Sequence, residues 1–275
     1  MSNKIRESAV AGYFYSKEKE TLQREVAMYL ENSQPADNVK KIYGLVAPHA
    51  GYMYSGGVAA RAYRQIVDSD FDVVVVIAPS HHVYFEEISV FDGEAYTTPF
   101  GLVKVDKELA AELEATHPQI ILSGLGHNNE EHSLEVHLPF LQHVLDDFKL
   151  LPVVMGNQDE ANINALSEAL PRVLKDKNAL IVASSDLSHF HSYDKAVLLD
   201  KVVVEDINNF DDRQLFADWQ NNVCELCGGG PVLVAMKACR NLGATKSRVL
   251  LYRNSGDVSG DKSQVVGYLS ALFYE

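Results

Sequence analysis

The stretch that decides the fold is Phe71–Ala78 (FDVVVVIA), which is followed by the turn Pro79-Ser80-His81-His82. Its valines and isoleucine favour an extended strand, because β-branched side chains pack well on a pleated surface. The valine run shows no alternation of apolar with polar residues, which is typical of a parallel strand buried on both faces. We therefore predict a central strand that ends at a polar turn containing His81.

Other apolar runs repeat this arrangement of a strand followed by a polar turn. Ile42–Ala47 leads into Pro48-His49, and Ala179–Ser184 leads into a turn that contains Asp186 and His189. Further strands are predicted at Leu150–Met155, at Arg248–Tyr252, which precedes Asn254-Ser255-Gly256-Asp257, and at Val265–Leu272, with a hairpin or edge strands at Ile88–Val90 and Ala95–Val105.

Segments with helical spacing of apolar residues separate these strands. They are Lys17–Leu30, Ser55–Val67, Asp106–Thr116, Ala161–Val173 and Pro231–Leu242. Alternating strands and helices predict an α/β fold with a mixed, largely parallel central sheet and helices on both faces. The sequence contains no internal repeat, no low-complexity tract and no linker long enough to separate two domains, so residues 1–275 are expected to form a single domain.

The composition is that of a globular protein, with 47% hydrophobic and 23% charged residues in a chain of 275. The formal net charge of -14 argues against a broad nucleic-acid-binding face, because phosphate binding needs clustered lysine and arginine. The N-terminus contains no apolar core of a secretory signal, and the longest apolar run, Val73–Ala78, is too short to cross a bilayer. With only three cysteines, these features predict a cytoplasmic protein that has no disulfide framework and does not enter the membrane.

The polar residues that follow the strands have the side chains needed for chemistry. In open α/β sheets, ligands bind beyond the carboxyl ends of the strands, and parallel strands bring these ends to one edge. The residues expected to converge there are His49, His81, Asp186 and His189, with Ser80 and His82 in the same pocket. A single histidine after a strand is often only a loop residue. However, His49 and His81 both follow a strand and a proline, in Pro48-His49 and Pro79-Ser80-His81. As a pair they favour a shared metal ion, because neutral imidazole is the commonest side-chain donor to zinc, iron and copper.

Further histidines lie in Glu131–Phe140 (EHSLEVHLPF). His132 and His137 are five residues apart, so one helix does not easily aim both at the same ion, and the spacing differs from the His-Glu-x-x-His zinc motif. We predict that both line the wall of the pocket. A polar helix start, with Glu130 and Glu131 near the positive end of the helix dipole, is the alternative interpretation.

The turn Ser184-Ser185-Asp186-Leu187-Ser188-His189 contains a carboxylate and an imidazole three residues apart. On one helical turn the two could hydrogen-bond, which would fix the tautomer of His189 and raise its basicity. We interpret His189 as a catalytic acid/base and Asp186 as the residue that orients it. The alternative is helix capping, for which serine and aspartate are ordinary residues.

Cys224-Glu225-Leu226-Cys227 is a C-x-x-C motif without the second cysteine pair that would complete a zinc site. Gly228-Gly229-Gly230-Pro231 follows it and predicts a turn at a helix N-terminus, a setting that favours thiolate. Because thiolate is a strong ligand for soft and borderline metals, Cys227 is the better candidate for a third metal ligand. Cys224 and Cys239 are interpreted as core or surface thiols.

Six motifs that occur in order resemble those of the Memo family. They are Pro48-His49-Ala50-Gly51-Tyr52, Tyr54-Ser55-Gly56, Pro79-Ser80-His81, Glu131–Phe140, Ser184–His189 and Cys227-Gly228-x-Gly230-Pro231. The resemblance extends from about Val10 (VAGYFY) to the C-terminus. Any one of these motifs is weak by itself, whereas six in the same order are highly specific.

The resemblance implies a fold similar to that of class III extradiol dioxygenases, which are non-haem iron enzymes that cleave catechol rings. In that comparison His49 and His81 correspond to the two histidine ligands. Cys227 falls near the third ligand position, where the dioxygenases have glutamate, and His189 resembles their acid/base histidine, with Asp186 beside it. A soft thiolate in place of a hard carboxylate changes the metal preference, so catechol cleavage is not expected. The resemblance also implies a radical-SAM protein and a small protein as partners, as in the AmmeMemoRadiSam system.

Two main hypotheses for the function follow. The first is a metal-dependent redox enzyme in which iron or copper, with zinc as a further option, is bound by His49, His81 and Cys227. The second is a non-catalytic binding module that uses the same pocket to bind a peptide or a partner protein. A zinc hydrolase is a third and weaker hypothesis, because no further feature selects a hydrolytic substrate. The sequence makes no prediction of the oligomeric state.

Overall fold

The structure, a computed structural model, describes residues 4–128 and 130–275 of the chain. Its strands form where apolar and β-branched residues cluster. They are β1 (Ile5–Arg6), β2 (Ile42–Ala47), β3 (Val73–Pro79), β4 (Ile88–Phe91), β5 (Ala95–Thr98), β6 (Gly101–Lys104), β7 (Ile120–Ser123), β8 (Lys149–Met155), β9 (Ala179–Ser184), β10 (His189–His191), β11 (Lys246–Asn254) and β12 (Val265–Tyr274).

The helices occupy most of the segments between these strands. They are α1 (Lys19–Glu31), α2 (Tyr52–Tyr63), α3 (Lys107–Glu114), α4 (Leu138–Val144), α5 (Glu160–Leu174), α6 (Tyr193–Asn208), α7 (Asp212–Gln220), α8 (Gly229–Leu242) and α9 (Gly256–Ser259). Short 3₁₀ turns follow α2 at Arg64–Ile66 and precede α4 at Glu135–His137. No helix among the described residues is long and apolar enough to span a membrane.

One nine-stranded sheet contains most of the strands, in the order β10-β12-β2-β9-β3-β8-β4-β7, with β11 also paired to β12. The four strands at its centre, β2, β9, β3 and β8, pair in parallel. On either side the pairing is antiparallel, between β12 and β2 and between β4 and β8. The predicted α/β fold with a mixed sheet and a parallel centre is confirmed.

Strand β3 lies at the middle of this sheet and is buried along its whole length. Successive side chains of a strand point to opposite faces. Accordingly Val73, Val75 and Ile77 join the apolar core beneath α3, α5 and α8, and Val74 and Val76 join the core beneath α1, α2 and α4. The helices therefore cover both faces of the sheet, as predicted.

The structure differs from the sequence prediction in local details. The predicted hairpin region is divided, because β4 joins the large sheet and β5 and β6 form a separate three-stranded sheet with β1. Helices α6 and α7 lie in a stretch to which the sequence analysis assigned no element. Helix α2 begins at Tyr52, earlier than predicted, directly after Gly51. That early start places His49 two residues before Gly51, the N-cap of the helix.

Candidate metal centre

Strands β2, β3 and β9 are parallel neighbours, so the turns that follow them meet at one edge of the sheet. His49 follows β2 and His81 follows β3, and their ring centroids are 5.0 Å apart. Asp186 follows β9, and its Oδ1 accepts a hydrogen bond of 2.8 Å from the backbone N–H of His49. The structure thus brings together these three residues, which the sequence analysis expected to converge.

Cys227, in the turn before α8, lies at the same point. Its Sγ lies 3.3 Å from Nε2 of His49. One donor atom from each of His49, His81 and Cys227 lies within 4.8 Å of the other two. A thiolate and an imidazole that share one tetrahedral ion are separated by roughly 3.5 Å, given metal–ligand bonds of about 2.3 and 2.1 Å. The three side chains therefore have the spacing of a candidate metal site.

The turn before α8 is held tightly against the end of β9. The backbone N–H of Cys227 donates to the carbonyl of Asp186 (3.2 Å), and the N–H of Asp186 donates to Sγ of Cys227 (3.2 Å). A Cβ atom at Gly228 would lie 2.1 Å from the carbonyl oxygen of Ser184, so only glycine fits there. The glycine-rich sequence thus permits the close approach that positions the thiol.

The tautomer of His49 follows from a count of protons. The hydroxyl of Ser184 donates to the carbonyl of Ser133 (2.6 Å) and lies 2.7 Å from Nδ1 of His49. Because the single hydroxyl proton is used, Nδ1 of His49 must be the donor in the second contact. The proton-free Nε2 therefore faces Cys227, as a metal ligand requires.

His81 is less buried than His49, with 29% of its side chain exposed. Its Nδ1 lies 3.1 Å from Oε1 of Glu131, a residue that the sequence analysis considered only as part of a polar helix start. No regular helix begins at Glu131, since the segment first makes a turn and then the short 3₁₀ turn before α4. Hydrogen bonds from the ring and backbone of His81 hold the pKa of Glu131 well below its usual range, although burial opposes this.

Burial also favours the neutral form of His49 and His132. It lowers the pKa of His49 well below its ordinary value, and the neighbouring histidines lower it further. It lowers the pKa of His132 to about 4. Neutral imidazole is the form that binds metal ions.

The thiol of Cys227 behaves differently from the sequence prediction. The helix N-terminus was expected to favour thiolate, but burial, followed by the nearby Asp186, raises the pKa of Cys227 far above its ordinary value. The prediction is therefore wrong for the pocket without a cation, where the thiol stays protonated. A metal ion would displace this proton, since a coordinating thiol is deprotonated.

The predicted pair of Asp186 and His189 is also wrong in its hydrogen bonding. Nδ1–H of His189 donates to the carbonyl of Leu187 (2.7 Å), and the carboxylate of Asp186 accepts from the backbone of His49 instead. Leu187 therefore fixes the tautomer of His189 and leaves its Nε2 free to accept a proton. The capping alternative is wrong as well, because β10, not a helix, follows this turn.

Strand β10 contains an irregularity beside this candidate base. The register of β10 against β12 shifts between His189 and His191, and Phe190 between them has a φ of +60°. Bulges of this kind commonly redirect a side chain next to a functional site. His189 lies close enough to His49 for its charge to lower the pKa of that residue.

The remaining pocket residues have different positions. The ring of His132 stacks on His81 at a centroid distance of 5.0 Å and lies 5.6 Å from the ring of His49, so it lies beside both candidate ligands. His82 is exposed at the rim, 6.2 Å from His132. The hydroxyl of Ser80 donates to Val83 (2.6 Å) and so stabilises the turn itself.

His137 is directed elsewhere and does not belong to the inner pocket. Its Nδ1 lies 2.8 Å from the hydroxyl of Tyr63, on α2, and burial lowers its pKa to about 3. Cys224 and Cys239 were interpreted as either core or surface thiols. Both are buried in the apolar core. Cys227 is thus the cysteine that the structure places beside the histidines.

The fold and this site define an α/β protein with two histidines and a cysteine grouped at the carboxyl edge of a parallel sheet centre. The Memo-like protein family matches residues 6–272 of the chain. MEMO1 family proteins from Methanobrevibacter smithii, Methanosarcina mazei and Aquifex aeolicus are 36%, 38% and 37% identical to it. Each alignment covers 98% of this chain, and 99%, 98% and 99% of the respective relative. The chain belongs to the Memo-like protein family, which confirms the resemblance found in its motifs.

A solved structure shows the same fold without close sequence similarity. An uncharacterized protein from Escherichia coli K12 matches with a TM-score of 0.60 over 85% of this chain and 100% of that chain. The two sequences are 14% identical. This likeness supports the α/β architecture alone.

Proposed function

We propose that this Memo-like protein is a metal-dependent redox enzyme whose iron or copper ion is bound by His49, His81 and Cys227. The observation that carries the proposal is the 3.3 Å separation between Nε2 of His49 and Sγ of Cys227, with the third donor from His81 in the same group. Two imidazoles and a cysteine sulfur suit borderline metals better than magnesium or calcium, which prefer oxygen ligands.

The other residues of the pocket support chemistry at such an ion. An ion bound there would supply an electron-transfer centre and a Lewis acid. His189 presents a proton-free Nε2, because its Nδ1–H is used by the carbonyl of Leu187, and it is our candidate general base. Burial raises the pKa of Asp186 to about 7, and its Oδ1 accepts a hydrogen bond from the backbone N–H of His49.

The metal content of the protein tests this proposal. We would purify the wild type without oxygen, measure its metals by elemental analysis, and compare His49→Ala and Cys227→Ala with the core variant Cys224→Ala. The wild type and Cys224→Ala are expected to bind about one equivalent of iron or copper, and the two pocket variants are expected to lose it at equal folding. Reversible oxidation of the bound ion by ferricyanide and reduction by ascorbate are expected for a redox site.

Three outcomes would contradict the proposal. Unchanged metal content in His49→Ala and Cys227→Ala would show that the ligands are wrongly assigned. Zinc as the sole bound metal, with no response to ferricyanide or ascorbate, would exclude a redox role. Failure to bind any metal under all loading conditions would favour the non-catalytic module, in which the pocket binds a peptide or a partner protein.

A further inference from the structure

We propose that Glu131 is a positioning residue of the metal site, whose carboxylate holds His81 as a ligand and sets the affinity of the site for a divalent cation. This inference rests on the proposed metal site formed by His49, His81 and Cys227. Glu131 belongs to a turn far from β3 in sequence, yet its side chain is buried directly behind His81.

The carboxylate of Glu131 is surrounded by N–H donors. Its Oε2 accepts from the backbone N–H of His81 (2.6 Å). Its Oε1 accepts from the backbone N–H groups of His132 and Ser133, at 2.9 Å each. A buried carboxyl group that receives only donors is held in its ionised form, which can accept but not donate. Glu131 therefore anchors the turn after β3 through a fixed negative charge.

The same carboxylate determines the tautomer of His81. Oε1 of Glu131 lies 3.1 Å from Nδ1 of His81, and an ionised oxygen in this contact requires a proton on Nδ1. The lone pair of Nε2 is then free for a metal ion. A carboxylate behind a ligating histidine orients the ring and raises its basicity, and removal of such a partner typically weakens metal binding by about 10–100-fold.

Direct binding of a metal ion by Glu131 is disfavoured. His81, Glu131 and His132 also have donor atoms within 4.8 Å of one another, which suggests a separate ion bound by Glu131 directly. An ion there would take lone pairs of Oε1 that already accept the N–H groups of His132 and Ser133. Each buried N–H left without its acceptor costs about 1–3 kcal/mol. The geometry therefore assigns Glu131 to the support of His81 and not to direct coordination.

The two histidine ligands consequently differ in their support. Nδ1 of His49 donates to the neutral hydroxyl of Ser184, whereas Nδ1 of His81 donates to the anionic Glu131. The thiolate of Cys227 and the carboxylate of Glu131 together supply two negative charges close to the ion. Both charges attract a divalent cation and so remove part of the cost of burying it.

Co²⁺ titration in the presence of a competing chelator tests this inference. The variant Glu131→Gln keeps the size of the side chain and removes its charge. Asp106→Asn is the matched control, because Asp106 is also buried and accepts a backbone N–H (3.1 Å from Leu109), but at the start of α3. Glu131→Gln is expected to bind Co²⁺ about 10–100-fold more weakly than the wild type, and Asp106→Asn to bind it equally well.

The outcomes separate this inference from the proposed function. If folded Glu131→Gln binds Co²⁺ within about twofold of the wild type, Glu131 has no positioning role. If the wild type binds no Co²⁺, or if His49→Ala binds it as tightly, the metal site itself is wrong.

A measurement on the metal-free wild type does not depend on the folding of any Glu131 variant. Imidazole ¹⁵N shifts are measured by NMR, and His81 is assigned by comparison with His81→Gln. We expect the Nδ1–H tautomer, and an Nε2–H tautomer would overturn the inference.

Discussion

The imidazole Nε2 of His49 lies 3.3 Å from the Sγ of Cys227, although 178 positions separate these residues in the chain. His49 follows β2 and Cys227 precedes α8. The carboxylate of Asp186 accepts the backbone N–H of His49, and the backbone N–H of Asp186 donates to Sγ of Cys227. Asp186 thus acts as a shared support between the two candidate ligands. Its position explains why its carboxylate is not available to orient His189.

The first prediction concerns the support of His49 by Ser184. Ser184→Ala removes the acceptor of Nδ1–H and the donor to Ser133, so we expect a loss of about 1–3 kcal/mol in the free energy of unfolding. The affinity for Co²⁺ should also fall, because the ring loses its fixed orientation. The control is Ser167→Ala, a buried serine of α5, in which Co²⁺ affinity is expected to stay unchanged. Chelator competition and urea unfolding measure the two effects, and unaltered Co²⁺ binding by Ser184→Ala would contradict the prediction.

The second prediction concerns the close approach of the turn before α8 to β9. Gly228→Ala would place a Cβ atom 2.1 Å from the carbonyl oxygen of Ser184, so we expect a loss of about 1–3 kcal/mol in stability and a displaced Cys227. Gly57→Ala is the matched control, since a Cβ there lies 3.9 Å from its nearest neighbour on the exposed side of α2. It should stabilise the protein by about 0.5–1 kcal/mol, because helix interiors favour alanine over glycine. Equal stability of both variants in urea would show that the turn can move away.

The third prediction concerns the buried ion pair of Arg6 and Glu135. Glu135 also accepts from the backbone N–H groups of Ala9 (2.7 Å) and Val10 (3.1 Å), so it binds the N-terminal segment to the wall of the pocket. Glu135→Ala leaves the Arg6 charge buried without its partner, and we expect a loss of about 3–5 kcal/mol in the free energy of unfolding.

A double variant separates the charge effect from packing. Arg6→Met combined with Glu135→Met removes both charges of this pair. Its loss in the free energy of unfolding is expected to be smaller than the sum of the losses in Arg6→Met and Glu135→Met, because neither charge is then left uncompensated. Additive losses in urea unfolding would argue against a coupled pair.

The fourth prediction concerns the acid stability that depends on His127. Burial lowers the pKa of His127 to about 3 from an ordinary value of 6.5, and its Nε2–H donates to the carbonyl of Ser89 (3.2 Å). The unfolded chain therefore takes up this proton at a higher pH than the folded protein does. The stability that the neutral ring contributes is complete above about pH 6.5 and is lost as the pH falls toward 3, by about 1.4 kcal/mol per pH unit.

The variant His127→Gln isolates this contribution from that of the other histidines. Between pH 6 and 4 its free energy of unfolding should decrease less steeply than that of the wild type, by about the same 1.4 kcal/mol per unit. Urea unfolding at several pH values measures the difference between the slopes. Parallel slopes for the two proteins would mean that His127 is protonated without unfolding.

The sequence alone determined the α/β class, the strands at the centre of the sheet and the residues at their ends. Runs such as Val73–Ala78 are local signals, because β-branched residues favour strands wherever they pack. The bounds of β2 and β9 agree with the prediction, and the convergence of His49 with His81 followed from parallel pairing. The order of the motifs also identified the family.

The tertiary structure decided which polar groups meet within the site. Asp186 bonds to His49 across 137 positions, and Glu131 bonds to His81 across 50. Such contacts depend on strand register and on the path of turns, which the local sequence does not encode. The protonated state of the Cys227 thiol likewise arises from burial, a property of the folded chain that outweighs the helix N-terminus. The sequence thus identified the residue types of the site, and packing assigned their partners.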